Sequence, residues 1–389
     1  MKMADLKIQQ IFQSSWDPYR KNHHVTEEQS RAALSIISCK TGALGFNMSV
    51  CEECGHEEIR NNSCRNRHCP NCQAVMKELW MDARRSEVID GAYFHVVFTV
   101  PSELNPLIYS NQKLLYGLLH ETSSKTLLEL SADTKYLGAT PAVIQVLHTW
   151  GQNLNYHPHI HSIVSGAGLD RQMKLVGGKK DFLIPVRVLG SKFKGKFLDS
   201  LDRFYKERIL VFPKDCRNLE FPTEWNAFRD SLYRKDWCPY IKETFNGFGN
   251  AIDYLGRYTH RIAISNSRIV GITDTQVTFN AKDYRTGKTG PITVTHEEFI
   301  RRFLQHVLPK GFQKIRYYGL LTNSRKKKLL AIVFNIQKHR KCEPKYSGMD
   351  TETRLFEMFH IDIHLCPCCG SHSLFSRYRT FSGVPVATG

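Results

Sequence analysis

No stretch of this chain approaches the roughly 18 consecutive apolar residues that a membrane-spanning helix needs, although hydrophobic residues make up 41% of its 389. The opening MKMADLKIQQIFQSSWDPYR has no apolar core of the secretory type, so the cytoplasm is the expected location. Internal repeats and low-complexity tracts are also missing, which excludes solenoids and disordered linkers as the main architecture. Acid is the scarcer charge: 37 Asp and Glu stand against 54 Lys and Arg, for a formal net charge of +17. That balance points to a polyanion as partner. Basic runs such as RNRHC, SKFKGK, IRRFLQHVLPK, KIRYYG and NSRKKK are interleaved with Tyr, Phe, His and Trp. The mixture suits nucleic acid, because aromatic faces stack on unpaired bases while cations follow the phosphates.

What is present in excess is cysteine. Of twelve, seven are grouped in CEECG, CPNC and CPCCG, a clustering that in a reducing compartment favours metal over disulfides. Cys51 and Cys54, then Cys69 and Cys72 after 14 intervening residues, form two C-x2-C pairs at the spacing of one tetrahedral structural zinc site. Cys64 and His68 lie between the pairs, each able to replace a ligand or serve a second ion. Near the C-terminal end, Cys366 and Cys369 make a weaker second pair, with His360, His364, His372 or Cys342 as partners, or form a plain turn.

At about 150 residues per domain, the length predicts two to three domains. Thr26 and Gln29 form a capping box for a helix reaching about Ser38, and AVMKELWMDARRSEVI has helical spacing. From Ala92 the pattern turns strand-like in YFHVVFTVP, followed by the amphipathic NQKLLYGLLHETSSKTLLELSA and two neighbouring strands, AVIQVLHTW and HIHSIVSG. LDSLDRFYKERI reads as helix, and the stretch to about Phe248 as irregular. A short helix from about Asn250 to Thr259, a strand from Arg261, a hairpin over 276–295 and a helix in HEEFIRRFLQHVL, ended by Pro309, complete an α+β pattern.

Three histidines, His157, His159 and His161, alternate in NYHPHIHSIV. Pro158 cannot donate to a sheet ladder, so the strand is expected to run from His159. His159 and His161 then share a face with Cβ atoms about 7 Å apart, close enough to converge on one ion, whereas adding His157 stretches the set to about 13 Å. A half-buried strand that happens to carry histidines is the bland alternative. Gln152 and His148 are the candidates for a third ligand. In DYLGRYTHR, Tyr254 and Tyr258 fall four apart with Arg257 and His260 beside them. Such a pair is either ordinary helix packing or two nucleophiles for a metal-polarised phosphodiester.

Zinc knuckles, HPHIH and then YLGRYTHRIAISNSRI, in this order, resemble the rolling-circle insertion-sequence transposases of bacteria, two-tyrosine members of the HUH nuclease group and relatives of Helitrons. The resemblance runs through NSCRNRHCPNCQ, YFHVVFTVPSELN, VLHTWGQNLNYHPHIH, FKGKFL, VTFNAKDYRTG, EEFIRRFLQHVLPKGFQKIRYYG and CPCCG. It implies an HUH fold over 91–275, a helical zinc-binding, DNA-recognising domain over 1–90, and a basic region over 276–389. By the same resemblance, His159 and His161 hold a catalytic Mg2+ or Mn2+ and Tyr254 and Tyr258 attack DNA. Related enzymes complete the metal site with Gln, Glu or His, and Helitron-like proteins carry a Gln shortly before their HxH; Gln152 sits similarly, one residue further away, which favours it over His148. Arg65, Arg67, Arg257, His260, Arg301, Arg302, Lys326, Lys327 and Lys328 are the expected DNA contacts, and association with the nucleoid follows. No GxxxxGK[ST] is present, so host factors are expected to unwind the DNA. A plasmid replication initiator or relaxase with the same chemistry, or a non-catalytic zinc-binding regulator, are the rival readings.

Overall fold

The computed structural model describes residues 7–178, 184–243, 256, 262–283, 286–338 and 343–382. The capping box forms as the sequence suggests: the Gln29 backbone N–H donates to Thr26 Oγ1, and the Thr26 N–H donates to Gln29 Oε1 at 3.0 Å. It starts helix α2 (Glu27–Ser38), which packs on α1 (Lys7–Asn22). The core these helices build is shared with a distant part of the chain. Ile8, Phe12 and Ile36 are buried with Phe279 of strand β9 (Gln276–Lys282) and with Phe299 and Phe303 of helix α8 (His296–Leu304). β9 lies between β8 (Ile269–Ile272) and β10 (Thr289–Thr295) in an antiparallel sheet.

The largest sheet is antiparallel, in the order β11-β4-β5-β3-β7, with β6 (Leu175–Gly177) paired to β5. Its centre is β4 (Thr140–Trp150) against β5 (Tyr156–Leu169), flanked by β3 (Tyr93–Thr99), β7 (Tyr240–Glu243) and β11 (Ile315–Gly319). Alternation sorts the side chains into two layers. Phe94, Val96 and Phe98 of β3, Val143 and Leu147 of β4, and Ile160 and Val164 of β5 share a core with helices α4 (Asn105–Ser110), α5 (Gln112–Ala132) and α6 (Val186–Lys206). On the opposite face Ile144, Val146 and Ile163 pack with Met81 of α3 (Gln73–Arg85) and Val333 of α9 (Lys326–Ile336). That second face is the one His148, His159 and His161 share.

A third sheet joins the two ends of the described chain. β1 (Phe46–Cys51) pairs with β2 (Glu57–Asn61) on one side and with β12 (Leu374–Arg379) on the other. Helix α10 (Thr351–Phe359) precedes β12.

Several expectations are corrected. The stretch before Phe248 contains helix α7 (Pro222–Arg234), started by Pro222 and anchored by buried Trp225 and Leu232. The strand expected from Arg261 begins at Ile269, and helix α8 stops at Leu304, before Pro309. It stops there because His306 turns inward, its ring bonded to the Leu154 carbonyl and Thr149 Oγ1. β5 begins at Tyr156 and takes Pro158 inside it. Trp150 pairs with Tyr156 and His148 with His159, so β5 carries one extra residue there. That bulge frees Pro158 from the ladder it cannot join. Among the described residues, no helix is long and apolar enough to cross a membrane.

Candidate metal and DNA site

The register of the central hairpin sets His148 directly opposite His159. With His161 two residues further on, three ring nitrogens come within 4.8 Å of one another. His159 Nε2 and His161 Nε2 are 3.1 Å apart. The other nitrogens have partners that decide which lone pairs are available. His159 Nδ1 lies 2.6 Å from the His157 carbonyl, which only accepts, so Nδ1 holds the proton and Nε2 is bare. His161 Nδ1 is 2.8 Å from His95 Nε2. For both Nε2 lone pairs to be offered to one ion, His161 carries its proton on Nδ1 and donates it to His95. Partners of this type on the far nitrogen orient metal-binding imidazoles. His95 was not singled out by sequence reasoning, although its place on β3, next to β5, is the signal that marks it.

Burial keeps these rings neutral, the form that binds metal: it pushes His159 down to about 3, His95 down to about 4, and His161 well below the usual range. His157, pushed down by burial too, contributes its carbonyl rather than its ring. The third ring beside His159 and His161 is that of His148, the alternative to the favoured Gln152. Gln152 lies in the turn beyond β4, where its backbone carbonyl accepts from Arg268. The bulge at Pro158 brings His148 into register with His159, an effect that spacing alone does not reveal.

Tyr254, Tyr258, Arg257 and His260 lie outside the described residues. Gly256, between the two tyrosines in sequence, is buried with helical backbone, and a Cβ there would fall inside the Met81 side chain. Met81 belongs to the core on the histidine face of the sheet. A cavity of about 710 Å³ opens at Trp150, lined by Arg67, Trp80, Lys314, Arg316 and Tyr317 among others. Trp150 stacks on His148 with ring centroids 4.5 Å apart, and Lys314 Nζ sits 4.9 Å from the centroid of the Trp150 ring.

The cysteines are distributed differently from the expectation. Cys51, Cys54, Cys69 and Cys72 do not form one foursome. Cys69 and Cys72 converge with Cys39 and Cys64, whereas Cys51 and Cys54 converge with Cys366 and Cys369. Cys39, missed in the sequence, caps α2 and brings its sulfur 3.5 Å from that of Cys72. His68 stands apart, its Nε2 accepting from the Leu308 backbone N–H and its ring pushed down to about 3 by burial. Cysteine parity was the available signal: six cysteines up to Cys72 exceed one site by two, and the C-terminal pair brings the total to two fours.

Of the expected DNA contacts, several are engaged within the fold. Arg67 donates to the carbonyls of Leu308, Pro309 and Phe312. Arg301 and Arg302 both grip Glu298, whose carboxyl they hold down at about 2, and Arg302 also donates to the Asn153 carbonyl. Lys326 pairs with Glu87 at 2.5 Å. Arg65, at the tip of the knuckle with a left-handed φ of 52°, and Lys327 and Lys328 at the start of α9 are exposed.

Two family models match the chain: a transposase zinc-binding domain over residues 11–100 and a family described as putative transposase over residues 142–328. A putative transposase, y4qJ, of Sinorhizobium fredii is 40% identical over 99% of this chain and 98% of its own length. The transposase for insertion sequence element IS801 of Pseudomonas savastanoi pv. phaseolicola is 28% identical over 77% of this chain and 73% of its own. No solved structure matches. The chain thus belongs to the IS91 family of rolling-circle insertion-sequence transposases, with a zinc-binding domain at its N-terminal end.

Proposed function

We propose that this transposase nicks and rejoins single-stranded DNA at the ends of an insertion sequence, using Tyr254 and Tyr258 as nucleophiles within an HUH-type domain. The convergence of His148, His159 and His161 carries the reading, because three imidazoles within reach of one point, with His159 and His161 kept neutral by burial and held by partners on their far nitrogens, are a ligand set for a divalent ion. Such an ion, Mn2+ or Mg2+, supplies charge stabilisation at the scissile phosphate.

Tyr254 or Tyr258 attacks phosphorus: a Tyr Oη–P bond forms, the P–O3′ bond breaks, the phenol proton is lost and the 3′-oxygen leaves as a hydroxyl. The product is a 5′-phosphotyrosine. The second tyrosine allows another strand to be cut while the first adduct persists, and a free 3′-hydroxyl reverses the step on the other adduct to join strands. Bond energy is conserved throughout, so no ATP is consumed, and strand separation is left to host factors. The cavity at Trp150 supports a single-stranded substrate, since it combines aromatic side chains with Lys314 and Arg316, whose charge suits phosphates. Exposed Arg65, Lys327 and Lys328 extend that charge, and the zinc-binding domain contributes recognition of the ends.

The test is a covalent adduct. Labelled single-stranded DNA from an element end, incubated with Mn2+ or Mg2+, is expected to migrate with the protein on a denaturing gel. The double variant Tyr254→Phe, Tyr258→Phe is expected to abolish the shifted band. A wild-type protein without adduct, or a double variant that keeps it, overturns the mechanism.

A further inference from the structure

The loops CEECG and CPCCG lie at opposite ends of the chain, yet they have the same construction. In the first, the Gly55 N–H donates to the Cys51 carbonyl at 2.9 Å and the Cys51 N–H to the His56 carbonyl at 2.9 Å. In the second, the Gly370 N–H donates to the Cys366 carbonyl at 3.0 Å and the Cys366 N–H to the Ser371 carbonyl at 2.8 Å. Gly55 and Gly370 close the two turns with φ of 70° and 74°, the left-handed region where glycine is unstrained. Each loop therefore aims two sulfurs outward from one tight turn, and the two loops face each other.

Sulfur separations identify the ligand. Cys51 Sγ to Cys369 Sγ and Cys54 Sγ to Cys366 Sγ are both 3.7 Å, and all four sulfurs lie within 4.8 Å of one another. A tetrahedron of zinc–sulfur bonds of about 2.3 Å has edges of about 3.8 Å. The strands leading into the loops are paired as well: β1 runs antiparallel to β12, with Cys51 opposite Leu374, and Arg377 bonds Glu52 at 2.7 Å. Cys51 and Cys366 are buried together with Leu374 in a small core of their own, separate from the core that encloses Cys39 and Cys69.

We infer that a second zinc ion, held by Cys51, Cys54, Cys366 and Cys369, clasps the C-terminal segment onto the N-terminal zinc-binding domain. That domain, as matched over residues 11–100, then contains one complete site and half of another, the missing half coming from the far end of the chain. Cys368, exposed within the same loop, is outside the ligand set. This inference is independent of the tyrosine chemistry.

Metal is counted in full-length chains carrying His159→Ala, so that the histidine trio does not contribute. Two zinc ions per chain are expected, one after adding Cys366→Ser with Cys369→Ser, and two after adding Cys368→Ser. Retention of two ions by the Cys366, Cys369 variant, or one ion in the starting chain, overturns the clasp. A readout without substitution at the site covers loss of folding: alkylation of the zinc-replete wild-type protein, followed by mass spectrometry. Cys368 is expected to label at once, with Cys366 and Cys369 protected until a chelator exposes them together with Cys51 and Cys54. Labelling of Cys366 and Cys369 at the rate of Cys368 without chelator refutes the site.

Discussion

His95 determines whether His161 can present Nε2 to a metal, because the 2.8 Å contact between His95 Nε2 and His161 Nδ1 links the protons of the two rings. With His95 accepting, His161 is held in the tautomer that leaves Nε2 bare; without it, that constraint on the Nδ1 proton is lost. Removing an outer partner of this kind typically costs 10–100-fold in metal affinity. His95→Ala is therefore expected to raise the Mn2+ concentration for half-maximal DNA cleavage by about 10–100-fold, with the rate at saturating Mn2+ close to wild type. His95→Gln, which keeps an acceptor, is expected to recover part of the loss. An unchanged Mn2+ dependence in His95→Ala removes the positioning role.

Local grammar was legible where short-range chemistry decides the outcome. Thr26 and Gln29 announced α2, and the β-branched and aromatic runs of β3, β4 and β5 announced the central sheet, because capping and strand propensity act over a few residues. The cap yields a direct measurement. Gln29 also reaches from the cap to the Leu304 carbonyl, so the N-terminal turn of α2 is tied to the end of α8. Thr26→Ala is expected to cost about 1 kcal/mol, seen as a lower denaturant midpoint with unchanged slope. A shift within error of zero means that the tie to α8 holds the helix end without the cap. What short-range grammar missed were pairings set by distant contacts. Cys51 and Cys69 are 18 residues apart but belong to different sulfur clusters, whereas Cys54 meets Cys366 across 312 residues. That His148 lies opposite His159 was not legible either, because the bulge at Pro158 that sets this register is a property of two strands together.

Across the whole molecule the cores join residues that lie far apart in the chain: α1 and α2 with the β8–β10 sheet, and β1 with β12. Folding on this plan buries several histidines besides His148, His159 and His161, and their protonation gives the molecule a predictable acid sensitivity. His120 is fully buried between α5 and β4, its Nδ1 3.1 Å from the Gln145 side chain, and burial pushes it down to about 3. His306, buried against Leu154 and Thr149, is likewise pushed down to about 3. In the unfolded chain both return to about 6.5. Between these values the unfolded state binds more protons than the folded one, so stability rises with pH and is lost as pH falls from about 6.5 towards 3. Each such histidine contributes at most about 1.4 kcal/mol per pH unit in that window. His120→Gln removes one of them. Zinc release in acid affects wild type and variant alike, so the difference between their unfolding free energies isolates the histidine. From pH 7 to pH 5 that difference is expected to move in favour of the variant by about 1–2 kcal/mol, followed by denaturant titration at each pH. A difference that stays constant over this range shows that the His120 ring does not stay neutral because of burial.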